Sequence, residues 1–87
     1  MKRGELIKWK GDTLTRLLDL YEKYRDNREV ECELFYLIRR LMLIRDNNER
    51  ERFLHVCHVT GLELKVKELA KIAGTEETYD GYFLSIH

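Results

Sequence analysis

The sequence predicts a mainly α, compact four-helix domain with a small terminal β element. Three observations lead there. Apolar residues recur at three- and four-residue spacing in four separate stretches. Proline is absent, which suits helices and short connections. Alternation marks the two ends, residues 5–9 and 82–86, and recurs in LELKV after Gly61. The 87 residues make one domain, 1–87, of a size that a single core can hold without staples.

The organising element is VECELFYLIRRLMLIR, Val30 to Arg45. Val30, Leu34, Leu37, Ile38, Leu41 and Ile44 recur at helical spacing, and Phe35 and Met42 widen that face past half the cylinder. A helix apolar over so wide an arc calls for neighbours on two or three sides. Where four short helices leave it uncovered, self-association into a homodimer would bury the rest.

The other elements follow in chain order. ELIKW, between Gly4 and Gly11, is read as a short strand with Ile7 and Trp9 on one face. Asp12 or Thr13 then caps a helix to about Asp26, whose stripe is Leu14, Leu17, Leu18 and Tyr21. Asp26-Asn27 is a turn, and the central helix follows. After a second turn, Asp46-Asn47-Asn48, the Asn48–Glu51 spacing predicts a capping box. The helix after it, residues 49–59, buries Phe53, Val56 and Cys57 and stops at Gly61. A hairpin through Thr60-Gly61 is the competing assignment. Val66, Leu69, Ala70 and Ala73 predict a fourth helix over 65–73, capped by Gly74. Beyond it, Asp80-Gly81 favours a tight hairpin turn into a strand from Tyr82.

Composition excludes several classes. With 44% apolar and 37% charged residues the chain is a folded, very soluble domain, not a disordered one. No apolar run reaches a membrane span, and the start MKRGELIKWK lacks the apolar core of a signal peptide. Cys32 and Cys57 both fall in apolar stretches and are expected as buried free thiols, so a cytoplasmic location is expected and no membrane partner. Net charge is zero but unevenly spread. Residues 1–45 hold eleven Lys/Arg against eight Asp/Glu, and residues 46–87 hold five against eight. Paired termini would neutralise one another; a basic arm or acidic tail for a partner is the other reading.

Candidate chemistry is sparse. His55, Cys57, His58 and Cys32 lack the paired spacing of a zinc site, and no metal is expected. Ser85 is the only serine, and no glycine-rich phosphate loop exists. The expectation is therefore a protein that is not an enzyme and needs no cofactor. Interface composition is better represented. Tyr36, Arg39, Arg40 and Leu43 share one side of the central helix, and the tail adds Tyr79, Tyr82 and Phe83. The bland alternative pairs Arg39 and Arg40 with Glu49 or Glu51 and packs Tyr36 and Leu43 inside.

Residues 49–78 also resemble the helix-turn-helix of sigma-factor region four and related bacterial regulators. Lys67-Glu68-Leu69-Ala70 with Gly74 matches the family's K-E-[IL]-A-x-x-x-G segment, and Glu49 to Arg52 and Gly61-Leu62 correspond upstream. The resemblance implies DNA binding, with Lys65, Lys67 and Lys71 touching phosphate. The would-be recognition segment departs from the pattern: Asp80 stands where an apolar residue is needed. That segment carries Glu76, Glu77 and Asp80 but no cation, which disfavours nucleic acid. The function expected is thus a small non-catalytic regulatory or inhibitory protein that binds a protein partner. A helix-turn-helix DNA-binding transcription regulator is the alternative.

Overall fold

Four helices and no strand make up the described residues, 2–72 of the computed structural model. They are α1 (Arg3–Lys23), α2 (Arg28–Met42), α3 (Asn47–Glu63) and α4 (Lys67–Lys71). The main correction is at the start. The strand expected over residues 5–9 is part of α1, and the expected caps Asp12 and Thr13 lie inside that helix. Leu6, Thr13, Leu17 and Leu20 form one buried stripe at helical spacing. Their burial outweighs the penalty of about 1 kcal/mol for a glycine in a helix interior. The expected stripe was set slightly round the cylinder: Leu14 and Tyr21 are half-buried and Leu18 is exposed. The strand expected over 82–86 lies outside the described residues.

Asn27 ends the turn and caps α2, its side chain accepting the Val30 N–H at 3.2 Å. Val30, Leu34, Leu37, Leu41 and Ile44 are buried as expected. Phe35 and Met42 are not. They follow Leu34 and Leu41 by one residue, about 100° round the helix, and the neighbours cover only one side. Cys32 is exposed for the same reason, so only Cys57 is a buried thiol. At the far end of α2, Lys10 of α1 donates to the Ile44 carbonyl at 2.7 Å and the Met42 carbonyl at 3.4 Å. A cation there meets the negative end of the helix dipole and satisfies orphan carbonyls.

The N-cap of α3 lies two residues upstream of the expected one, and the N3 glutamate reaches back to the residue before the cap. Asp46 accepts the Glu49 N–H at 2.9 Å, and Glu49 accepts the Arg45 N–H at 3.0 Å. The helix then runs through Thr60-Gly61, where neither a stop nor a hairpin forms, to Glu63. It ends in a Schellman motif: Val66 N–H donates to Gly61 C=O at 2.8 Å and Lys65 N–H to Leu62 C=O at 3.3 Å. Lys65 takes the left-handed conformation, φ 60°. Gly61 is free to be buried in the α3–α4 contact instead. The short α4 falls within the expected 65–73, and the expected cap at Gly74 lies outside the described residues.

Packing joins α1 to α2 and α3 to α4, with α2–α3 and α1–α4 contacts closing the ring. The result is a flattened body of 36 × 33 × 15 Å. Leu17, Leu34, Leu37, Leu41, Phe53, Cys57, Val66 and Leu69 fill its centre. Each fully buried large apolar side chain contributes about 1.5–3 kcal/mol. Trp9 meets Phe53 edge-on at 5.9 Å, with the Arg50 guanidinium 5.5 Å from its ring centre, so α1 is keyed to the start of α3.

Candidate protein-interaction surface

The seam that anchors α2 in the core decides what its other side presents. Opposite the buried stripe lie Cys32, Phe35, Tyr36, Arg39, Met42 and Leu43, all exposed. The four large apolar ones keep 53% (Phe35), 51% (Tyr36), 59% (Met42) and 72% (Leu43) of their surface in solvent. Two Arg–aromatic pairs one turn apart organise them. Arg40 Nη1 donates to Tyr36 Oη at 3.0 Å, and the Arg39 guanidinium lies 6.0 Å from the Phe35 ring centre. Phe35, Tyr36, Arg39, Arg40 and Leu43 line one open groove. Tyr36, Arg39, Arg40 and Leu43, the residues singled out on the central helix, are therefore brought together. Tyr79, Tyr82 and Phe83 lie outside the described residues.

Arg39 and Arg40 do not pair with the start of α3. Glu49 is engaged by Arg45 (3.7 Å) and Glu51 by Arg50 (3.0 Å). Among the described residues no side chain of α2 makes an ion pair: Arg28, Arg39 and Arg40, and Glu29, Glu31 and Glu33, are all without one. Arg40 is half-buried and near α3. Burial pushes the Cys57 thiol up to about 12, and the positive charge of Arg40 works against that rise. A thiol held so high is a packing group, not a nucleophile.

The basic candidates sit elsewhere. Lys65, Lys67 and Lys71 are exposed around the α3–α4 turn and α4. Glu68, on the same helix, takes a salt bridge from Lys23 of α1 and a hydrogen bond from the Tyr24 hydroxyl at 3.2 Å. His55 is exposed and His58 half-buried, with Cys57 buried between them. Among the described residues no cluster of three or more His, Cys, Asp or Glu is placed to hold a metal ion. No helix there is long and apolar enough to cross a membrane.

Sequence reasoning missed Phe35, Met42 and Cys32 as surface groups. The signal was present in the spacing. Val30, Leu34, Leu37, Leu41 and Ile44 already form a complete four-three-four-three seam, and a seam needs only one layer of neighbours. No family model, no curated protein and no solved structure matches this chain.

Proposed function

We propose that this chain is a small non-catalytic regulatory or inhibitory protein that binds a protein partner through the outer face of α2. The observation that supports this most is the grouping of Phe35, Tyr36, Met42 and Leu43 with Arg39 and Arg40 on one exposed helix face. Single exposed apolar residues are ordinary, but a contiguous group of them with Tyr and Arg has interface composition. The face is also pre-organised. Its opposite side is locked in the core, and the two Arg–aromatic pairs already hold the long arginines, so little ordering remains to be done on binding.

The test is affinity capture on the immobilised full chain, comparing wild type with Leu43→Asp and Tyr36→Ala. A partner retained by wild type and by Lys67→Glu, and lost from both α2 variants, supports the reading. Capture that is indifferent to the α2 variants sinks it. The helix-turn-helix DNA-binding regulator is the second reading, favoured by the exposure of Lys65, Lys67 and Lys71 on one end of the molecule. It requires binding to duplex DNA that weakens steeply with salt, and a shallower salt slope in Lys67→Ala.

A further inference from the structure

We infer that the occupant of α2's outer face is a second copy of this chain, its α2 lying antiparallel across the first. The inference rests on the proposed binding role of that face and names its partner. The observation behind it is a separation of charge along α2. Residues 28–35 carry Glu29, Glu31 and Glu33 against Arg28, while residues 36–43 carry Arg39 and Arg40 and no acid. That order suits the helix dipole, but the dipole leaves all six charges without an ionic partner among the described residues.

An antiparallel copy gives Arg39 and Arg40 acidic neighbours in Glu29, Glu31 and Glu33 of its mate. A twofold axis near Phe35 and Tyr36 sets the basic half of each α2 against the acidic half of the other. The same operation sets Phe35 and Tyr36 of one copy against those of its mate and carries Met42 and Leu43 over residues 28–32 of the mate, an isologous contact. A parallel copy would set like charges side by side.

The experiment is sedimentation equilibrium of the full chain over a wide concentration range at low salt. Wild type is expected to pass from 10.5 kDa to twice that mass as concentration rises. The double reversals Arg39→Glu/Arg40→Glu and Glu29→Arg/Glu33→Arg should each dimerise about 100-fold more weakly, since each puts like charges together. Circular dichroism confirms that both are folded, and mixing them should restore a one-to-one dimer. A wild type that stays monomeric at every concentration overturns the inference. So does a dimer indifferent to both reversals, or a mixture that fails to associate. A monomer whose α2 face still captures a foreign protein overturns the dimer alone. A monomer whose capture ignores that face overturns the proposed function as well.

Discussion

Gly61 of α3 and Ala70 of α4 meet backbone to backbone. A Cβ on Gly61 would stand 2.4 Å from the Ala70 nitrogen and 2.8 Å from its Cα. The Ala70 N–H is itself committed to the Val66 carbonyl at 3.2 Å, so the obstacle is backbone with no rotamer to yield. Gly61→Ala is therefore expected to force α4 off α3 and destabilise by about 1–3 kcal/mol, outweighing the roughly 1 kcal/mol that alanine gains as a helix former. Gly11→Ala is the control. It has nothing within 4 Å in the interior of α1 and should stabilise by about 0.5–1 kcal/mol. Urea unfolding of both variants checks the pair. A Gly61→Ala midpoint at or above wild type would show that the crossing can relax.

That double duty of Gly61 explains why the end of α3 was hard to read. A glycine after a helical stripe resembles a cap, and nothing local distinguishes a cap from a crossing point. The start of α1 was obscured for a similar reason. Leu6, Thr13 and Leu17 form a stripe whose middle member is polar, and the flanking Gly4 and Gly11 look like breakers until the neighbours that bury the stripe are known. The α2 seam was legible because five apolar residues keep a single phase, and the Asp26-Asn27 turn because Asn27 caps locally. The candidate surface was legible as chemistry in Tyr36, Arg39, Arg40 and Leu43. Its full extent was implicit in the spacing of the seam, and became visible once the other helices were seen to cover that side alone and leave Phe35 and Met42 open.

Lys65 supplies a second stability test. It holds the left-handed position of the Schellman motif, φ 60°, where a side chain costs about 1 kcal/mol and glycine costs almost nothing. Lys65→Gly should raise stability by about 0.5–1 kcal/mol, and Lys65→Val should lower it because branching at Cβ crowds that conformation further. Thermal melts of the two variants should bracket wild type; a Lys65→Gly protein less stable than wild type would contradict the assigned turn.

The α1–α4 contact should make stability depend on pH at both extremes. The hydrogen bond from Lys23 holds the Glu68 carboxyl below the usual glutamate range. Its contribution is present above the unfolded glutamate pKa and is lost as pH falls through the lowered folded value. The same bond holds the Lys23 ammonium above the usual lysine range. That contribution is complete below the unfolded lysine pKa and is lost as pH rises through the raised folded value. Both groups are well exposed, so the effect is modest and shrinks with salt. Melting temperature against pH should show a plateau at neutral pH and a loss on each side. Glu68→Gln should flatten part of both limbs; limbs unchanged in that variant would assign the dependence to other groups.

The two thiols should separate cleanly by chemistry. Cys57 is fully buried between Leu54 and Gly61 on the core side of α3, and burial pushes its thiol up to about 12. Almost no thiolate exists there near neutral pH, and reagent cannot reach the sulfur without local opening. Cys32 is exposed on α2. In dilute native protein, a disulfide reagent should titrate one thiol rapidly and the second only at the rate of opening, with both reacting at once in denaturant. Cys32→Ser should abolish the fast phase and Cys57→Ala the slow one. The alanine variant should also lose about 1 kcal/mol or more of stability from the cavity it leaves. At concentrations where the α2 faces pair, the Cys32 phase should slow while the Cys57 phase does not accelerate. An unchanged fast phase across that range would place Cys32 outside any interface and move the contact elsewhere on the molecule.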